Sequence, residues 1–280
     1  MQPNRREFFK KSAMGIAAGG VAYSAGCAPE VVQKPDGVDR LKLGVASYSF
    51  RAFDLEKTIE MTDKLGVGYL ALKSMHMPLD LTEEEIKSRA ARVRASGLAL
   101  YGAGVIYMKS KQEVEQAFQY AAWAGLDTII GVPAHELLPL VETKVRDYDI
   151  KVAIHNHGPG DDLYPTPESV MEKIIGLDER IGLCIDIGHT QRSGVSPAES
   201  IKLYADRLHD VHIKDVDQAT KEGETVEIGR GVIDIVAALQ ALLTIQYKGV
   251  ASLEYEKDKA DPLAGAAESI GFVKGLLTVI

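Results

Sequence analysis

The sequence predicts an α/β protein, a closed (β/α)8 barrel of TIM-barrel type forming a single domain. Three observations lead there: eight short apolar, β-like runs, an amphipathic helical stretch between successive runs, and about 240 residues to hold them. Eight such units in that length close a ring better than they lay out an open doubly wound sheet. No Gly-x-Gly-x-x-Gly follows a strand and opens a helix, so a dinucleotide-binding sheet lacks its phosphate loop.

In chain order the expected strands are 43–47, 68–73, 99–103, 128–132, 152–155, 182–186, 210–213 and 250–254. Helix starts are marked by Asp54 before Leu55-Glu56-Lys57 and by Thr82 before three glutamates. Thr166-Pro167-Glu168 and Ser196-Pro197-Ala198-Glu199 mark two more, each a capping side chain ahead of Pro or acidic first-turn residues. Gly66, Gly97 and Gly125 mark helix ends. The helix between strands four and five, 136–148, is short.

Residues 1–27 stand apart from the barrel. Asn4-Arg5-Arg6-Glu7-Phe8-Phe9-Lys10 is a twin-arginine pattern, and the small-residue apolar run 12–26 behind it is too short for a comfortable membrane span. Ser24-Ala25-Gly26-Cys27 resembles a lipoprotein cleavage site, without the usual Leu three residues before the cysteine. The expectation is export by the twin-arginine route to the periplasm, with a lipid on Cys27 as the one route to a membrane. An ordinary cleaved leader or a disordered N-terminus is the alternative. A Pro- and Gly-containing linker, 28–40, then leads to the barrel at 41–280.

The chain of 280 residues is 46% hydrophobic and 26% charged, enough to bury a full core. Its net charge of −8 becomes about −11 without residues 1–27, which argues against nucleic acid as a partner. Of two cysteines, Cys27 lies in the leader and Cys184 in an apolar strand, so no internal disulfide is expected and Cys184 reads as a small core residue.

In a parallel barrel, side chains from different strands converge at the C-terminal rim. Strand five ends in Ile154-His155-Asn156-His157-Gly158-Pro159, and strand six in Ile185-Asp186-Ile187-Gly188-His189. Strand seven ends in Val211-His212-Ile213-Lys214-Asp215, and strand eight in Leu253-Glu254-Tyr255-Glu256. Four of the seven histidines fall in these segments. A single strand histidine is usually a hydrogen-bonded core residue, but four consecutive strands each offering a donor at one level point to a metal. Imidazole with carboxylate suits one divalent ion of the Mn, Co, Fe or Zn kind, and the expected ligands are His155, Asp186, His212 and Glu254. Strand alternation puts His157 on the side of His155 but further out, toward substrate. His209 reads as structural and His135 as a loop residue. Asp215 and Glu256 read as helix-entry acids or as acids that orient a ligand histidine.

These segments resemble the xylose isomerase-like barrel family of sugar isomerases, ketose epimerases and apurinic endonucleases. The likeness rests on Cys184-Ile185-Asp186-Ile187-Gly188-His189, Asp210-Val211-His212-Ile213-Lys214-Asp215, the glycine loop Ile228-Gly229-Arg230-Gly231-Val232-Ile233-Asp234 and the last strand Ser252-Leu253-Glu254. It covers nearly all of the chain beyond the leader. The resemblance implies chemistry on a metal-held carbonyl. Where many epimerases of the family carry a second glutamate on strand five, this chain has His155, which leaves Glu254 as the base, with Lys214 or His189 as the oxygen's donor. Such a site suits isomerisation or epimerisation of a keto sugar, and equally elimination from a 3-keto-glycoside.

Sugar hydroxyls would meet Lys73, His76, Tyr48, Tyr107, His157 and Arg230; an aromatic wall is the alternative for Tyr48 and Tyr107, and solvated loop residues for Lys73, Ser74 and His76. The expected substrate is an unphosphorylated sugar, since an exported enzyme meets few sugar phosphates. An endonuclease would want further histidines from strands two and three and a basic groove, and His76 alone does not supply them. A sugar-binding lipoprotein without catalysis is the other alternative, opposed by three ionisable groups, Asp186, His212 and Glu254, aimed at one point.

Overall fold

The computed structural model describes residues 40–280. The twin-arginine pattern, Cys27 and all but the last residue of the linker lie outside the described residues.

Eight parallel strands close a ring: β1 (Lys42–Ala46), β2 (Tyr69–Leu72), β3 (Ala99–Met108), β4 (Thr128–Pro133), β5 (Lys151–His155), β6 (Ile181–Asp186), β7 (Leu208–Ile213) and, last in the chain, β10 (Val250–Leu253). The seam is made by β10, which pairs with β7 on one side and β1 on the other, with Val45 opposite Leu253. The outer helices are α1 (Leu55–Lys64), α2 (Glu83–Ala95), α3 (Lys111–Ala124), α4 (Leu138–Tyr148), α5 (Pro167–Ile174), α7 (Pro197–Leu203), α8 (Ile235–Thr244) and α9 (Leu263–Leu277). Two small additions sit where strands leave the ring: α6 (Ile187–Arg192) directly after β6, and a hairpin of β8 (Asp215–Val216) with β9 (Thr225–Val226) after β7.

The strands read as apolar runs because ring interior and helices bury both faces. Val45, Leu70, Leu72, Ile129, Val152, Ile154, Leu183, Ile185 and Val211 are all fully buried, and each such side chain contributes about 1.5–3 kcal/mol relative to exposure. The expected caps are present: Asp54 accepts from the Lys57 N–H at 2.8 Å, Thr82 forms a reciprocal box with Glu85, and the Thr166 and Ser196 side chains accept from the N–H groups of Ser169 and Glu199. Gly125 ends α3 at φ 62°, in the left-handed region.

Several boundaries differ from the sequence expectation. β3 runs on to Met108, so Tyr107 belongs to the strand. The stretch expected as one helix at 136–148 begins with a 3-10 turn, His135–Leu137, and becomes α-helical at Leu138, followed by Pro139 in the first turn. β10 stops at Leu253, leaving Glu254 just beyond the ladder.

Candidate active site

Four side chains from four neighbouring strand ends meet at the rim. His155 closes β5, Asp186 closes β6, His212 lies on β7 and Glu254 follows β10. One donor atom from each falls within 4.8 Å of every other. His155 Nε2 faces His212 Nδ1 at 3.1 Å and Asp186 Oδ2 at 3.4 Å, and His212 Nδ1 lies 3.3 Å from a Glu254 oxygen. All four residues are at most 4% exposed.

Backbone geometry aims Asp186. It is both the last residue of β6 and the N-cap of α6, and Oδ1 accepts the His189 N–H at 2.8 Å. The other oxygen, Oδ2, is buried and faces the cluster, with the Lys214 ammonium 2.9 Å away. Asn156 points away from the cluster and braces this turn: its carbonyl oxygen accepts the Asp186 N–H at 3.0 Å and its amide donates to Thr190 Oγ1 at 3.2 Å.

Lys214, fully buried, brings a positive charge into the same space. Its Nζ lies 2.9 Å from Asp186 Oδ2 and 2.8 Å from Glu254 Oε2, and it also contacts Glu256. Burial opposes the charge, but Asp186, Glu254 and Glu256 outweigh it and hold the Lys214 pKa well above its ordinary value. Burial likewise pushes both carboxyls upward, but Lys214 and the neighbouring histidines hold Asp186 and Glu254 well below the ordinary range, so both stay ionised. Burial lowers His155, His157 and His189. At His212 burial is overcome by Glu254, Asp210 and Asp186, which raise its pKa.

Two imidazole nitrogens and two ionised carboxylate oxygens around one point are a donor set a divalent ion of the Mn, Co, Fe or Zn kind accepts. Lys214 shares both carboxylates with that position, and Glu256 offers the ammonium a partner outside the four-donor set.

Around this centre His157 stacks on Tyr107, ring centroids 5.6 Å apart, with Nε2 3.1 Å from the tyrosine hydroxyl. The His189 ring stands 5.8 Å from that of His155. A cavity of about 270 Å3 opens beside them, lined among others by His189, Arg192, Lys214 and Glu256. Lys73 lies after β2 with its ammonium 4.3 Å from the centre of the Tyr48 ring.

Two expected substrate contacts are corrected. His76 does not reach the mouth: the turn after β2 folds it inward, fully buried, with Nδ1 2.8 Å from Ser47 Oγ and Nε2 3.0 Å from Thr58 Oγ1. Both ring nitrogens are occupied, so no substrate hydroxyl can use them. Arg230 faces outward, and its guanidinium forks onto Glu268 of α9, with Nη2 at 2.7 Å. Asp215 has a different task from those expected, accepting backbone N–H groups of the glycine loop from Gly229, Gly231 and Ile233. His209 is bound to the Glu179 carbonyl at 2.9 Å and His135 contacts the Leu163 carbonyl at 3.2 Å.

Sequence reasoning missed Arg192. It stands one helical turn after His189 on α6, a spacing that marks it as a neighbour at the same rim. Its Nε is buried without a partner, while Nη2 donates to the Lys221 carbonyl at 2.6 Å.

Residues 51–276 match the family described as xylose isomerase-like TIM barrel, and the chain belongs to that family. An inosose dehydratase of Clostridium botulinum is 27% identical over 147 residues, 46% of this chain and 48% of that protein. The chain spans about half the length, or less, of the curated relatives it matches. Among solved structures, the IOLI protein with a zinc atom aligns at TM-score 0.73 and 17% identity, covering 85% of this chain and 98% of that one. A D-tagatose 3-epimerase-like protein aligns at TM-score 0.71 and 20% identity, covering 85% and 98%. At these identities the two structures speak to the fold.

Proposed function

We propose that the rim cluster is the active site of a metal-dependent sugar isomerase or epimerase, which removes the proton next to the carbonyl of an unphosphorylated keto sugar. The observation that carries the reading is the meeting of His155, Asp186, His212 and Glu254 within 4.8 Å, with the Lys214 ammonium against both carboxylates. Those four residues would hold one divalent ion, whose chemistry is to polarise the substrate carbonyl.

The remaining roles belong to the chain. Glu254, ionised and buried, takes the proton from carbon and returns it to the neighbouring carbon, which isomerises the sugar, whereas epimerisation takes the returning proton on the opposite face from a second group. Lys214, charged, stands beside it to meet the negative charge that grows on the sugar oxygen. His189, kept neutral by burial, shuttles a proton at a sugar hydroxyl through its ring nitrogen. His157, Tyr107 and Lys73 contact the sugar further out.

Elimination is the second reading, as a 3-keto-glycoside lyase or a dehydratase. It is favoured by His155 standing where a second carboxylate would serve an epimerase, and by the dehydratase relative. After the same proton removal, the leaving oxygen departs with the proton that Glu254 has taken up.

The test is incubation of the protein with Mn2+ or Co2+ in D2O, with free ketohexoses and separately with a 3-keto-glycoside, followed by NMR. Deuterium in a recovered or rearranged sugar supports isomerisation or epimerisation. A released aglycone with an unsaturated sugar supports the lyase. Absence of both, with Glu254→Gln indistinguishable from the parent, overturns catalysis in favour of a sugar-binding protein. Export to the periplasm with lipid on Cys27 belongs to the same proposal, and cell fractionation with mass spectrometry of the mature N-terminus tests it.

A further inference from the structure

Beneath the four donors lies a second buried layer that the proposed chemistry does not use. Asp210 precedes His212 by two residues on β7, so alternation puts both side chains on the inner face of the ring. Asp210 pairs in register with Cys184 on β6, as His212 pairs with Asp186. It is 0% exposed and reaches no substrate space.

The contacts of Asp210 are specific. Oδ1 lies 3.2 Å from the Tyr101 hydroxyl, which spans the ring interior from β3 and also reaches Ser252 Oγ at 3.0 Å. Oδ2 accepts the Cys184 thiol at 3.3 Å. The same Oδ2 lies 3.5 Å from His212 Nε2, the ring nitrogen turned away from the cluster. That nitrogen is buried and has no hydrogen-bond partner, and Asp210 is the carboxylate facing it.

We infer that Asp210 is a positioning residue for His212: its carboxylate takes the Nε2–H from below, so that the Nδ1 lone pair is presented to the cluster. A histidine holding a metal commonly gives its other N–H to a carboxylate, which fixes both tautomer and ring angle. Tyr101 and Cys184 hold Asp210 in turn, one on each oxygen, so the carboxylate cannot swing away from the ring. A side chain that merely filled the interior would not need two donors converging on it beside an unsatisfied imidazole nitrogen.

The inference rests on the proposed metal site in one respect, the use made of Nδ1, and the experiment separates the two. In the protein without metal, at a pH alkaline enough for the His212 ring to be neutral, 15N-detected NMR reads which of its nitrogens carries the proton. A proton retained on Nε2 is expected; a neutral ring protonated on Nδ1 overturns the inference whether or not metal binds. Then Co2+ alone is titrated into the parent, Asp210→Leu and Asp210→Asn, following affinity by calorimetry and the visible absorption bands of the ion. Asp210→Leu is expected to bind Co2+ about 10- to 100-fold more weakly with altered bands. Asp210→Asn, which keeps an acceptor oxygen, is expected to recover most of the affinity. Parental affinity and bands in Asp210→Leu overturn the inference. If Asp210→Leu does not fold, Tyr101→Phe, which frees Oδ1 but leaves the carboxylate, decides instead: altered Co2+ bands support the inference, and parental ones overturn it. Failure of the parent itself to bind Co2+ refutes the metal site and leaves the tautomer measurement to decide the role of Asp210.

Discussion

Replacing Asp215 with Asn changes one atom and should cost several kcal/mol. Asp215 is 0% exposed, and its Oδ2 accepts the N–H groups of Gly229 at 2.9 Å and Gly231 at 3.0 Å. Its Oδ1 accepts those of Val216 at 2.9 Å and Ile233 at 3.1 Å. An asparagine oxygen can serve one pair, but its NH2 then points hydrogens at two other donors. Two bonds to a charged acceptor are lost, each worth about 1.5–3 kcal/mol. Some relief comes from the part-buried loop shifting, so the expected loss is about 3–5 kcal/mol, at the severe end for a single substitution. Gly231 limits that relief, since even a Cβ there would lie 2.2 Å from Asp215 Oδ1. Urea unfolding followed by circular dichroism measures the loss as a lower midpoint at unchanged slope. A loss below about 1 kcal/mol would refute the reasoning that Asp215 clamps the loop. The clamp also has a functional side. The same loop is preceded by Glu227, which accepts from Tyr255 at 2.8 Å and pairs with Lys257 at 3.0 Å, on either side of Glu256.

Two further substitutions give equally definite readings. Gly188→Ala lies in α6, where helix propensity alone favours Ala by about 1 kcal/mol. A Cβ there would stand 2.5 Å from Lys214 Cγ and Cδ, so a loss of about 1–3 kcal/mol with at least roughly tenfold lower turnover is expected, and full activity at raised stability would contradict it. His209 has its pKa lowered to about 4, chiefly by burial, against an ordinary 6.5. The neutral form is favoured in the fold, so its stabilising effect is complete above about pH 6.5 and is lost as pH falls toward 4, by at most about 3 kcal/mol. Unfolding of the parent and His209→Gln at pH 7 and 4.5 checks this, and equal pH slopes would sink it.

The ring was legible because strands buried on both faces leave short apolar runs between capped helices, a local signal at every step. The four rim donors were legible for a related reason: in a parallel ring, whatever follows an apolar run lands at one level. What escaped depends on partners distant in the chain. His76 looks like a rim residue until Ser47 and Thr58 are found around it, and Arg230 looks free until Glu268, on the last helix, takes its fork. The extra helix α6 was hidden because Asp186 ends a strand and caps a helix at once, with no turn residues between. Asp210 carried a signal in its spacing to His212, but only Tyr101 and Cys184 reveal which way that carboxylate is held.

The seam of the ring has a kinetic meaning. Glu254 follows the last strand, and that strand has to find β1, some two hundred residues earlier, before the ring is complete. His155, Asp186 and His212 come from strands that neighbour one another in the chain and can assemble first. The fourth donor arrives with the contact of longest sequence separation, the kind whose loop-closure entropy makes it slow. A chain stalled before closure would present three donors and the Lys214 ammonium without its Glu254 partner. Uptake of a cation that needs all four donors therefore serves as a clock for the final step of folding, separate from the appearance of helix or sheet.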